Sequence, residues 1–436
     1  MDSLSSSPRL LTAARLTGLA YILLMMLHVP LAGPFFCEDL LAPLFLAMLV
    51  VLGPRQAFSG TSSRWLAAFL LLTGAVTLFH TACGGTEDAY NTAVLVYLAG
   101  VFLAFRHLDC PASWRLALGG GFLLAATACW LAEPLRAVFP EWPGQSFWLV
   151  TDNARDSAMA FLTKRYQFTF SNPNSLGSFY ALPMALALTA LSEVFPHWSR
   201  RRRMLCLILL GMSFLPLCHT FSKHAIMSGA LFLGFLCSIA PAGRWLDRLK
   251  RLSWLPVVLL GLLCLVTVLW TTFPLTSHAP FINTVPGGYT IHQDTYARMA
   301  LESPKTFLTG RTLQNIRHAY PAAVDRPRAD RILSQYNAQH LLDSFCTFMD
   351  PHNEYLNLIT FYGIGAVLLA LAFFMACIRE RPDSPLLILA IIALAFCCLW
   401  DDLLSKRWIW VMTASLLASR QSQSTDSSPH DQSRIP

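Results

Sequence analysis

Charge is what this sequence has least of. Only 13% of its 436 residues are Asp, Glu, Lys or Arg, about half the share of an ordinary soluble domain. Hydrophobic residues make up 55%, the mean hydropathy is +0.48, and the apolar residues stand in long separate runs. One soluble core cannot absorb them, which excludes a single water-soluble domain. No CxxC, HExxH or Asp-rich loop occurs, so no metal ion is expected. No P-loop and no GxGxxG stretch occurs, so no cofactor is expected either, and energy comes from an activated substrate or a gradient. No small-residue cleavage site closes the apolar run after Arg9 and Arg15, which reads as a retained span.

What charge there is follows the ends of the apolar runs. The formal net charge is +7, and SRRRR (199–203) and GRWLDRLKR (243–251) carry much of it. Such clusters hold loops in the cytoplasm, so the basic balance reports topology and nucleic acid is not an expected partner. The twelve cysteines sit largely inside apolar runs and read as small buried hydrophobes. Cys37, Cys83 and Cys346 fall outside those runs and could form a disulfide.

Twelve spans are expected: 12–32, 38–54, 65–81, 88–105, 114–131, 173–193, 203–220, 224–241, 253–272, 354–377, 384–400 and 405–418. Each approaches the ~20 residues that cross a bilayer. With a cytoplasmic N-terminus, GPRQ, FRHLDCPASWR, both arginine clusters and IRERPDS all fall inside. The organisation expected is an all-α polytopic bundle over 1–272, a periplasmic loop over 273–352 with short helices, three further spans over 353–418, and a disordered cytoplasmic tail over 419–436. Within the loop, QDTYARMALES is helix-compatible. Ile332, Leu333, Leu341, Leu342 and Phe345 suit an amphipathic helix against the membrane or the bundle.

Polar residues gather on the outer side. Asn174 and Ser175 lie in a turn that can cap the sixth span. Lys223, with His219 and His224, occupies a tight outer turn where the orientation bias disfavours a cation. Arg298, Arg311 and Arg317 could bind phosphate or form a solvated loop face. His352-Asn353 could serve chemistry or simply cap the tenth span. The Asp401-Asp402 pair is expected to cap a helix or to pair with Lys406 and Arg407.

Four segments carry a family resemblance: HNEYLNLITFYGIGA, FSNPNSLGSFYALP, FSKHAIMSGA and TYARMALESPKTFLTG. In order, spacing and sidedness they resemble the O-antigen ligase and polymerase superfamily of bacterial inner-membrane proteins. The resemblance implies a GT-C-like glycosyltransferase in the Gram-negative inner membrane, N- and C-termini cytoplasmic. It would transfer a glycan from undecaprenyl pyrophosphate to lipid A-core, inverting and without metal. A polymerase or a protein O-oligosaccharyltransferase is the alternative, and contact with a chain-length regulator or flippase is possible. The resemblance assigns the pyrophosphate to Lys223 and Arg298, with Arg311 as a helper. Lys223 replaces the family's arginine, keeping the charge and losing the planar fork. It gives His352 the acceptor hydroxyl, as general base or by positioning. Asn353, Asn174 and Tyr355 fall to substrate binding. A transporter would instead show repeats and midplane charges, which this sequence does not.

Overall fold

The computed structural model describes residues 8–47, 60–107, 115–124, 173–219, 286–334, 339–380, 385–399 and 403–418, short interruptions aside, with isolated positions at 151–152, 164–165 and 228–235. Among these residues the chain is helical. Its strands are confined to two small antiparallel ladders, β1 (Pro30–Ala32) with β2 (Phe35–Phe36) and β3 (Thr151–Asp152) with β4 (Lys164–Arg165).

The first helices are α1 (Pro8–Leu27), α2 (Thr61–Ala82), α3 (Asp88–His107), α4 (Pro173–Val194) and α5 (Arg200–His219). Then come α6 (Pro286–Leu301), α7 (Pro304–Thr309), α8 (Leu313–Ala323), α9 (Arg326–Ser334) and α10 (Leu342–Phe345). The chain closes with α11 (Glu354–Tyr362), α12 (Ile364–Glu380), α13 (Pro385–Cys397) and α14 (Arg407–Ala418).

The expectation of twelve spans and a GT-C-like architecture is not met. Among the described residues three helices are long and apolar enough to cross a membrane: Thr61–Ala82, Ala89–Arg106 and Gly177–His197. The physical reason is helix length. The run at 354–377 is broken at Gly363, whose φ of +81 ends α11 after 9 residues. Helix α13 has 13 residues and α14 has 12, each roughly 20 Å or less against a ~30 Å hydrocarbon core. The apolar part of α1 is likewise short, Thr12–Met25. The run at 253–272 and most of 224–241 lie outside the described residues, as does the tail.

One core unites the helices of the two chain ends. Helix α2 packs along α12, and α14 lies against both α3 and α4. Phe102 of α3 meets Phe373 at 5.3 Å and Trp410 at 6.2 Å, both edge-on, the arrangement that aromatic quadrupoles favour. At one end of this bundle the Arg106 guanidinium donates to Ser62 Oγ (2.7 Å) and Ser63 Oγ (2.6 Å) and pairs with Glu380 at 3.0 Å.

A second, smaller core stands at the other end. Ile291, Tyr296 and Met299 of α6 pack with Ile316 and Tyr320 of α8, Leu333 of α9 and Cys346. The amphipathic pattern around 331–345 is thus used within this helical cap, in α9 and in α10 with the 3-10 turn Gln339–Leu341 before it. Cys37, Cys83 and Cys346 are free thiols, so the disulfide is not formed.

Two glycines join cap to bundle. A Cβ on Gly310 would lie 2.3 Å from the Phe361 carbonyl, and one on Gly363 would lie 2.0 Å from Leu308 O. Both have positive φ, +69 and +81. This mutual contact lets Arg311 N donate to Thr360 O at 2.7 Å. Nearby, His80 Nε2 at the end of α2 meets Thr309 O at 3.1 Å.

Candidate functional site

Between bundle and cap lies a cavity of about 990 Å³. Its apolar wall comes from Val94, Leu95 and Leu98 of α3, Leu358 and Phe361 of α11, and Leu46. Its polar rim gathers Asp39, Asn91, Tyr97, Tyr296, Asp350, Glu354, Asn357 and Arg407. An apolar body with a few convergent polar groups is the common design of a small-molecule site. Among the described lining residues Arg407 is the one cation, set against Asp39, Asp350 and Glu354.

The rim is built around an ion pair spanning the chain. Arg407 donates to Asp39 through Nε to Oδ1 (2.9 Å) and Nη2 to Oδ2 (2.6 Å), a two-pronged fit of guanidinium to carboxylate. Tyr97 OH donates to Asp39 Oδ1 at 2.8 Å and is itself 2.9 Å from Tyr21 OH. The guanidinium also lies 4.9 Å from the Phe36 ring centre.

Glu38, beside this pair in the short helix after β2, is fully buried. Its carboxylate oxygens find no hydrogen-bond partner, and the nearer is 3.9 Å from Arg407 Nε. Burial pushes its carboxyl from 4.5 up to about 7. A raised folded value means that Glu38's contribution to stability is full below pH 4.5 and lost as pH rises through 7. Glu38→Gln is therefore expected to flatten the stability profile between pH 4.5 and 7. Denaturant titrations of both forms across that window check it, and parallel profiles would contradict it.

The HNEY segment serves the junction residue by residue. His352 is half-buried with φ +48, a left-handed position, and its amide donates to Asp350 Oδ1 at 2.7 Å. Asn353 caps α11 by accepting from Leu356 N at 3.0 Å, which is the helix-cap role open to it from sequence. Glu354 turns to the cavity, and its Oε2 accepts from Leu404 N at 3.1 Å. Tyr355 OH donates to Ala395 O at 2.8 Å.

Behind His352, His292 is 3% exposed and contacts Tyr320 OH through Nδ1. Burial, followed by the charge of His352, lowers His292 from 6.5 to about 4. Its stabilising contribution is present above pH 6.5 and lost as pH falls through 4. Protection factors of the α6 and α8 amides, corrected for intrinsic exchange, are expected to drop over that fall, with His292→Phe blunting the change; protection that stays constant with pH would contradict this.

The remaining sequence-expected residues do not converge on this cavity. Arg298 is 47% exposed and held by Asp294 (2.9 Å) and Asp325 (2.8 Å). Arg311 pairs with Glu302. Neither lines the cavity. Asn174 falls in the first turn of α4, and Lys223 lies outside the described residues. Arg407 pairs with Asp39 across the bundle, and Asp401-Asp402 also lie outside the described residues. Sequence reasoning missed Asp39, Tyr97, Arg407, Glu38, Asn357 and His292. The signals available were the ED of FFCED, at the start of the expected second span, and Arg407 of SKRW, expected to pair with Asp401-Asp402.

No protein-family model, curated protein or solved structure matches the chain. The three apolar helices define it as a helical, membrane-associated protein. Periplasmic glycan transfer to lipid A-core, its polymerase and protein-directed alternatives, and assignment to lipopolysaccharide synthesis are not supported. The extensive spanning architecture they require is absent among the described residues, and the two described arginines meant for pyrophosphate are paired with carboxylates.

Proposed function

We propose that this protein binds a membrane amphiphile, a lipid-linked glycan, in the cavity between bundle and cap. The tail lies along Val94, Leu95, Leu98 and Leu358, and the hydroxyl-rich head meets the polar rim. The observation that carries the reading is Asn357. Its Oδ1 is buried without a hydrogen-bond partner and the residue lines the cavity. An orphan acceptor costs about 1–3 kcal/mol, and turning the Asn357 amide towards the cavity would let a ligand hydroxyl recover it. Tyr90, Tyr97 and Tyr296 add aromatic faces to the carboxylate acceptors, a lining suited to a sugar's CH faces and hydroxyls. The polyprenyl-linked class is the one implied by the sequence resemblance. In this reading the cap faces the periplasm and the arginine-bearing ends face the cytoplasm.

Asn357→Leu separates function from folding. It is expected to stabilise the ligand-free protein by about 1 kcal/mol, because the orphan acceptor is gone. The same change is expected to weaken binding of an undecaprenyl-phosphate-linked sugar in nanodiscs about tenfold, near 1.4 kcal/mol. Ala93→Trp, from an exposed position on the cavity wall, is expected to abolish binding by filling the space. A wild type bound equally well by free polyprenol would contradict a head-group role. Binding unaffected by Ala93→Trp would contradict the site.

A further inference from the structure

We propose that the groove between helical residues 115–124, α4 and α5 is a binding site for one anionic phospholipid, an acyl chain along the groove and the phosphate at Arg202. The groove encloses about 550 Å³, and Leu124, Leu191, Leu205 and Leu209 are among its walls. It is separate from the cavity described above and shares no lining residue with it.

Three consecutive glycines explain why the groove stays open. Gly119 faces α4: a Cβ there would lie 2.5 Å from Pro183 O and 2.7 Å from Ala187 N. Gly120 and Gly121 line the groove, and a Cβ on either would meet nothing within 4 Å. The first glycine admits a neighbouring helix, and the next two leave room beside it. Arg115, 1% exposed and bonded to Thr189 Oγ1 (3.1 Å) and Glu193 Oε1 (2.7 Å), fixes this segment on α4.

On α5, the lining residues Arg202, Leu205, Leu209 and Ser213 recur every three or four positions and share one face. From Arg202 to Ser213 the helix advances roughly 16 Å, close to the ~15 Å of one hydrocarbon leaflet. Trp198 stands at the arginine end of the groove, where an amphipathic ring marks the membrane–water boundary.

Charge selects the occupant. Arg200, Arg201, Arg202 and Arg203 form the first turn of α5, with no acidic residue among them. A helix N-terminus already carries partial positive charge, so four cations there repel it and one another. Arg203 is tied down, donating to Trp198 O at 2.9 Å and to Pro196 O. Arg202 is exposed at the groove's mouth. An anionic headgroup meets this charge while its chain covers the apolar walls. A zwitterionic lipid or an apolar protein surface would cover the walls and leave the arginines uncompensated.

The test is native mass spectrometry of the full chain released from nanodiscs of equal parts phosphatidylglycerol and phosphatidylcholine. Wild type is expected to retain one phosphatidylglycerol, favoured at least tenfold over phosphatidylcholine. Gly121→Leu fills the open space and raises helix propensity, and is expected to lose the retained lipid. Arg202→Gln is expected to keep a lipid and lose the headgroup preference. Leu209→Trp, from a half-exposed wall position, gives an independent filling variant should Gly121→Leu fail to fold. Equal retention of the two lipids by wild type, or retention unchanged in a folded filling variant, would overturn the proposal.

Discussion

Arg407→Met is expected to lower the folding free energy by about 3–5 kcal/mol, because removing one partner leaves a buried charge without compensation. The arginine holds Asp39 through two hydrogen bonds and stands 3.9 Å from Glu38. Both carboxylates are nearly inaccessible, with side-chain exposures of 9% and 1%. Without the guanidinium, Asp39 keeps Tyr97 OH and the Phe36 amide as donors, and Glu38 is left beside a like charge. The loss should therefore be largest at neutral pH and shrink under acid, where Glu38 protonates. Arg407→Met with Asp39→Leu is expected to recover more than half of it, since replacing both partners is far milder than stranding one. Thermal or denaturant unfolding of the three proteins at pH 5 and 7.5 checks this. Additive losses in the double variant would show that the pair is not coupled.

The second large effect is expected at the junction. Gly363→Ala puts a Cβ 2.0 Å from Leu308 O on a residue with φ +81. Backbone strain and overpacking each cost about 1–3 kcal/mol, and together they place the loss near 4 kcal/mol. Gly310→Ala strikes the same contact from the cap side, 2.3 Å from the Phe361 carbonyl. The two substitutions are expected to be less than additive, because the first to separate the surfaces removes the clash for the second. Limited proteolysis should then cut the cap at 302–312 before the bundle opens. A Gly363→Ala protein as stable as wild type would mean that this contact does not hold cap to bundle.

These junction residues show what the sequence made legible. DPHNEYLNLITFYGIG announced a polar-to-apolar boundary ending in glycines, and the boundary is there. Asn353 caps α11, and Gly363 ends it. What the pattern could not reveal was that the second half of the run turns away at Gly363 and leaves helices too short to be separate spans. Hydropathy reports that a segment is apolar and not whether it meets lipid or another helix. Helix α13 is the clear case, since Ala390–Ala395 and Cys397 are buried in the core shared with α14 and α4.

The site was less legible because its central pairing is long-range. Asp39 and Arg407 are 368 positions apart, and neither belongs to a motif. Arg298 and Arg311 looked available as isolated cations in a loop. The fold supplies Asp294, Asp325 and Glu302 as partners, and the i,i+4 spacing of Asp294 and Arg298 on one helix is a register that periodicity could have shown. Asn357 was invisible as a site residue, because its significance lies in an unmet acceptor that only packing exposes.

The central expectation is that an amphiphile occupies the cavity between bundle and cap. Photo-crosslinking with a polyprenyl-phosphate-linked sugar carrying a diazirine in its tail, read by peptide mass spectrometry, tests this most directly. Crosslinks are expected at Val94, Leu95, Leu98 and Leu358, competed by unlabelled ligand. Adducts confined to the outward-facing Leu71, Leu78 and Leu368, and indifferent to competitor, would contradict the account.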